Sequence, residues 1–196
     1  MKTETTYTNR QKEIIDAAIR LISERGIQSL TIKNLAAKLD LTEGAIYRHF
    51  RSKDEIIRGI VRYLDAIRIQ AAERISSING GTPEKLRQFF LCCLSRFAQK
   101  PELASVVFAE EIFRFSSDLS RQVYSIMLAT QQIVRDILIQ GKQNKEVNDK
   151  LDDYYGSMLI TGAMRLLVTQ WRMSGFEFDL IEEGTKLLEN ILETIK

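Results

Sequence analysis

The chain is predicted to be all-α, with about nine helices, on three observations. Apolar residues recur at helical spacing along almost all of its 196 residues. Alternating β-branched residues, the mark of a half-buried strand, are almost absent. The breaks between periodic stretches carry helix punctuation: Thr, Ser or Asp at starts, Gly at ends, and both prolines (Pro83 and Pro101) where new segments begin.

The elements follow in order. Thr8 with Gln11 forms a capping box that opens a first helix on Ile14, Ile15, Ala18, Leu21 and Ile22, ended by Gly26 as a left-handed cap. Ile32, Leu35, Ala36 and Leu39 make the i, i+3, i+4, i+7 stripe of a second helix, and Asp40 and Leu41 turn the chain. Thr42 caps a short third helix in which Ile46 and Phe50 point inward, leaving Glu43, Gly44, Ala45, Tyr47, Arg48 and His49 facing out. Ser52 and Glu55 form a second capping box for a long fourth helix, Lys53 to about Ile78, striped by Ile56, Ile57, Ile60, Val61, Leu64 and Ile67.

Asn79-Gly80-Gly81 is the clearest break, after which Thr82-Pro83 restarts a helix with a cap and a proline at its first position. Lys100-Pro101 does the same for a helix over 102–115. Further helices run over about 118–140, stopping near Gly141, and about 150–174, closed by Gly175, with a polar connection over 142–149. Asp179 with Glu182 caps a last helix on Leu180, Ile181, Leu187, Leu188, Ile191, Leu192 and Ile195. The architecture expected is a helix-turn-helix unit of three helices, residues 1–54, joined by the long fourth helix to a second helical domain, residues 55–196.

An apolar fraction of 44% supports a sizeable core. No stretch reaches the roughly 18 uninterrupted apolar residues of a membrane span, and the first residues lack the apolar core of a signal peptide. The expectation is a cytoplasmic protein with no membrane contact. Cys92 and Cys93 are adjacent on a helix and diverge by about 100°, a poor geometry for a disulfide. They also lack zinc-site spacing and read as small apolar side chains in a reducing compartment. No metal or cofactor is expected.

Net charge is only +2, but residues 1–54 hold 10 Lys/Arg against 7 Asp/Glu while 55–196 hold 18 against 19. The positive excess lies where the motif lies, as contact with phosphates requires. Helix-turn-helix spacing places the second helix of the pair in the major groove of double-stranded DNA.

The motif is dense and ordered: Gly26, Ser29-Leu30-Thr31-Ile32, Leu35-Ala36, Leu41-Thr42, Gly44-Ala45-Ile46-Tyr47-Arg48-His49-Phe50 and Ser52-Lys53. It resembles the TetR (tetracycline-repressor-like) family of transcriptional regulators. The resemblance implies a homodimer that leaves a palindromic operator when a small molecule binds its C-terminal domain. Residues and resemblance agree on the DNA side. Thr31 opens the second helix, where N–H groups and hydroxyl can hold a phosphate, and Lys33 adds a cation there. Thr42, Glu43, Gly44 and Ala45 occupy the end of the recognition helix that meets base edges. Tyr47 and His49 resemble the family's phosphate-contacting pair, Lys53 anchors the fourth helix, and Arg48 suits bases or phosphates. Glu43 repels phosphate unless it accepts from a cytosine amino group.

Aromatic residues crowd the second domain, most of them at ordinary core spacing. The resemblance places an effector cavity among helices from about 60 to 175, suited to an apolar small molecule with a few polar handles. The candidates for contact are Phe89, Cys93, Phe97, Phe108, Glu110, Tyr124, Tyr155, Met158 and Trp171. Glu110 falls on an apolar stripe, and pairing with Arg114 one turn on is its simpler role. Small residues at Gly156, Gly162, Ala163 and Gly184 suit close helix approach across a four-helix dimer seam, or against the subunit's own core.

Two rival classes stand beside this reading. A DNA-binding structural or protein-interaction module would lack small-molecule control. An enzyme is disfavoured: one histidine, no Cys–His pairing and no Gly-rich phosphate loop leave only a carboxylate site around Glu110, Glu111, Asp152 and Asp153, acids that read more simply as solvated faces and helix starts.

Overall fold

A computed structural model describes residues 7–107 and 117–196. Among them the chain forms nine α-helices and no strand: α1 (Asn9–Arg25), α2 (Ile32–Lys38), α3 (Glu43–Tyr47), α4 (Lys53–Ser76), α5 (Thr82–Gln99), α6 (Glu102–Val107), α7 (Ser117–Gln143), α8 (Asp153–Met173) and α9 (Leu180–Ile195). A single 3-10 turn, Ile27–Ser29, links α1 to α2. No helix of the described residues is long and apolar enough to cross a membrane.

Most helix ends follow the local chemistry, with instructive departures. The Thr8–Gln11 box closes in both directions. Gly26 has φ +76° with ψ 170°, so it ends α1 in an extended conformation open only to glycine rather than the left-handed helical one expected. Ser52 accepts from the Glu55 backbone N–H, but the Glu55 carboxylate reaches the N–H of Arg51 (2.5 Å) instead of that of Ser52. The box is thus displaced by one residue. Thr82 does not cap α5; it is the first helical residue, after Gly81, and its N–H donates to the distant Glu146 carboxylate (2.6 Å).

Nor does Gly141 stop α7, which runs to Gln143. An added methyl there would overlap the Thr82 hydroxyl and stand 2.6 Å from Val147 Cγ2, so the glycine exists to let α7 meet these two buried side chains. α8 ends in a Schellman motif: Gly175 has φ +74°, and Phe176 N–H donates to the Trp171 carbonyl (2.9 Å).

Two hydrophobic cores result. The first gathers α1, the 3-10 turn, α2, α3 and the N-terminal part of α4 around Ile14, Ile19, Leu35, Ile46, Phe50 and Ile60. It also takes in Leu103 and Val106 of α6 and Leu119 of α7, far along the chain. The second joins the rest, around Phe89, Phe90, Leu94, Leu138, Val168, Trp171 and Leu188. Two of the four small residues proposed for a dimer seam serve this second core instead. A methyl on Gly156 would stand 3.1 Å from Leu138, and one on Gly184 would run into Leu94 of α5. Gly162 alone of the three glycines meets nothing within 4 Å.

Candidate DNA interface and effector cavity

Local capping sets the DNA-facing surface. Thr31 accepts from the Asn34 N–H (3.1 Å) at the start of α2, and Thr42 accepts from the Ala45 N–H (3.2 Å) at the start of α3. Each oxygen thereby satisfies an orphan helix donor while its O–H proton remains to donate outward. Asp40, with φ 53°, turns the chain between the two helices, and Leu41 N–H returns to the Ala36 carbonyl (2.9 Å). Ile46 and Phe50 are buried, as their spacing requires, and pin α3 to the first core.

Thr31, Lys33, Thr42, Glu43, Gly44, Tyr47 and Arg48 are exposed, whereas Ala45, His49 and Lys53 are half-buried. Half of the Tyr47 surface (50%) is open, which leaves its ring and hydroxyl accessible to a partner outside the chain. Gly44 has only the Thr42 hydroxyl within reach of an added methyl, at 4.0 Å. Nothing in its own chain demands a glycine there. Lys53 Nζ lies 3.5 Å from the Ile27 carbonyl, and the Gln11 amide reaches the His49 carbonyl (3.3 Å), so both phosphate candidates are tethered to the unit's frame. Lys38, by contrast, is occupied by Glu24 (2.7 Å).

The second feature is a partly open cavity of about 510 Å3 bordered by α4, α5, α6, α7 and α8, with a mainly apolar lining. Of the candidate contacts, Phe89, Cys93, Phe97, Tyr124 and Met158 line it. Phe108 and Glu110, with Glu111 and Arg114, lie outside the described residues. Two candidates are misplaced. Tyr155 is not part of the lining: it is 63% exposed and edge-on to Tyr154, which does line the cavity. Trp171 is buried in the second core, its indole N–H given to the Phe178 carbonyl (3.0 Å) and its ring packed on Phe176.

The sequence reading missed the cavity's polar members: Arg68, Arg96 and Arg165, with Gln131, Thr130 and Thr161. A signal existed. Arg68 follows Leu64 by one turn of α4, Arg96 follows Cys93 by three, and Arg165 follows Met158 by seven, so each arginine sits on the face of an apolar lining residue. Arg68 is held by Asp65 (2.7 Å). Cys92 and Cys93 both line the wall, and burial pushes the Cys93 thiol up to about 12, so it remains a neutral, apolar thiol. The acids of the enzyme reading are structural where described. Asp152 caps α8 by accepting from Tyr154 and Tyr155 N–H (2.9 Å each), and Asp153 pairs with Arg135 (2.6 Å), which keeps its carboxyl below the usual range.

Comparison with known proteins agrees with this layout. Residues 14–60 match the bacterial regulatory proteins of the tetR family, and residues 60–194 match the C-terminal region of YsiA-like proteins. The fatty acid metabolism regulator protein of Bacillus subtilis (strain 168) is 26% identical over 183 residues, covering 93% of this chain and 94% of that protein. The probable acrEF/envCD operon repressor of Escherichia coli (strain K12) is 23% identical over 195 residues, covering 97% of this chain and 89% of that one. The crystal structure of the transcriptional regulator FadR from Bacillus subtilis in complex with stearoyl-CoA superposes with a TM-score of 0.79, at 25% identity, over 94% of this chain and 99% of that one. An exposed helix-turn-helix and both matching regions lead to one conclusion: the chain belongs to the tetR family of bacterial regulatory proteins and is a DNA-binding transcriptional regulator.

Proposed function

We propose that the chain is a homodimeric cytoplasmic repressor that leaves a palindromic operator when a long-chain acyl thioester enters the cavity, acting by binding and not by turnover. Residues 1–54 hold DNA; residues 55–196 hold the ligand and the partner copy. The observation that carries the reading is the cavity. Its volume of about 510 Å3 falls within the roughly 300–1,000 Å3 of small-molecule sites, its walls are mainly apolar, and Arg68 (paired with Asp65), Arg96 and Arg165 bring positive charge to the lining, which favours an anionic head group. The relative solved with stearoyl-CoA supports the same ligand class.

The exposed and half-buried positions of the helix-turn-helix side chains support the DNA roles. Tyr47, His49, Lys53, Thr31 and Lys33 position the phosphates; Thr42, Gly44 and Ala45 approach base edges; Arg48 serves either, and the Glu43 carboxylate stabilises the positive end of α3 from its first turn. For the dimer, the outer face of α8 supports a seam: Tyr155, Leu159, Gly162 and Leu166 fall at i, i+4, i+7 and i+11, with Leu159 69% and Leu166 58% exposed. Ala163, on the same helix, borders this stripe.

The test is a fluorescence-anisotropy titration on a palindromic duplex selected from random DNA. Stearoyl-CoA at saturation should weaken operator binding at least tenfold, which needs about 1.4 kcal/mol of differential affinity, while free coenzyme A should not. Unchanged DNA affinity with the cavity demonstrably filled overturns the reading.

A further inference from the structure

Two ion pairs cross between the halves of the molecule. Lys100, at the corner between α5 and α6, pairs with Asp16 of α1 and lies over the Tyr63 ring of α4, 5.1 Å from its centroid. Arg58, on α4, pairs with Asp118 in the first turn of α7, and the Gln122 amide also donates to Asp118 (3.1 Å). Asp16 and Arg58 belong to elements that build the first core. Their partners stand at the ends of the two elements, α6 and early α7, that supply both that core and the cavity wall. Leu103 is a member of both, and Val107 and Val123 line the cavity from the same elements. A Ser23–Ser105 hydroxyl bond (3.1 Å) adds a third polar tie between α1 and α6.

An apolar contact permits sliding, because dispersion attraction depends little on direction. A charge pair fixes position, because its energy falls when either partner leaves hydrogen-bond geometry. All four charged side chains are partly covered, between 22% and 46% exposed, so water screens them less than a rim pair. We infer that Lys100–Asp16 and Arg58–Asp118 are positioning pairs that make the DNA-binding unit follow the cavity walls, so that operator hold and cavity state report on one another. The inference rests on the cavity being the effector site.

Linkage is reciprocal, so the operator alone can be the probe. Hydrogen exchange of the full chain is measured with and without the duplex selected above, at DNA saturation. In the natural chain, operator binding should slow exchange in α6 and the start of α7 as well as in α1–α4. The Lys100→Met/Asp118→Asn double variant should confine the slowing to α1–α4. The charge-swapped pair Asp16→Lys/Lys100→Asp, made beside intact Arg58–Asp118, should restore it to α6. Stearoyl-CoA forms the second arm: each neutralised pair should lower the release ratio about threefold, with ligand affinity nearly unchanged. Slowing that reaches α6 and α7 in the double variant as in the natural chain overturns the proposal, as does slowing that never leaves α4 in the natural chain. If stearoyl-CoA fails to release the natural chain while the operator signal still depends on the pairs, the choice of effector fails and the positioning role stands.

Discussion

Replacing Gly162 with alanine separates a seam between two copies from an idle surface. The added methyl meets no atom of its own chain within 4 Å. In an isolated chain the change removes an interior helical glycine without steric cost, a gain of about 0.8–1.0 kcal/mol. Across a two-fold seam the methyl enters space that the partner's α8 fills, and overpacking there costs about 1–3 kcal/mol. Gly162 also borders the cavity, so the comparison is made on ligand-free protein, where the sign of the effect reports the partner. Gly141→Ala is the internal reference. Its methyl would run into Thr82 and Val147, which are 3% and 4% exposed, so it should destabilise at every protein concentration. The assay is urea unfolding over a hundredfold range of protein concentration, with sedimentation to count copies. Gly162→Ala should lower the midpoint, more so on dilution, because dimer stability follows mass action. Gly162→Leu should sediment as a monomer. If Gly162→Ala raises the midpoint equally at all concentrations and sediments as a dimer, the α8 stripe is not the seam.

Three further outcomes are expected. Tyr47→Phe, His49→Ala and Lys53→Ala should weaken binding to every duplex, Lys53→Ala lowering the salt slope by about one, whereas Ala45 variants should alter the selected consensus; an unchanged consensus in site selection contradicts the groove geometry. The Thr82 N–H and hydroxyl hold the Glu146 carboxyl below its usual range, so its contribution is full above about pH 4.5 and is lost as pH falls through its depressed folded-state value; Glu146→Gln should lower the urea midpoint at pH 7 and converge on the natural chain in acid. With its thiol raised to about 12, Cys93 should resist alkylation at pH 8 in the native state and react once unfolded, as peptide mass mapping would show.

Much of this molecule was legible in the order of its residues. Ile14, Leu35, Ile46 and Phe50 occupy the core positions that their spacing assigned, because a helical period leaves little choice of face. Side-chain capping by Thr8, Thr42 and Asp179 was likewise readable, since a cap is a contact within four residues. Long-range partners were not. Glu146 supplies the cap of α5 from 64 residues away, and Gly141 is shaped by Thr82, so neither the start of α5 nor the run of α7 could follow from local signals. The cavity was half legible for the same reason. Aromatics announced its walls, but Trp171 and Tyr155 could be told from Phe89 and Tyr124 only once the helices had packed. The arginines stand in the sequence among many other cations, and the packed helices distinguish them.

The first core draws Leu103, Val106 and Leu119 into a unit that the motif alone would end near residue 54. The DNA-binding head is therefore not a portable module. A chain cut before α6 should leave part of α1 uncovered and unfold at a lower urea midpoint than the whole chain. A chimera that grafts residues 7–54 onto another effector half strips α1 of the helix that covers it and removes the α4 turns holding Ile56, Ile57 and Ile60. Exchange between relatives succeeds only if the crossover carries α6 and the start of α7 along with the head.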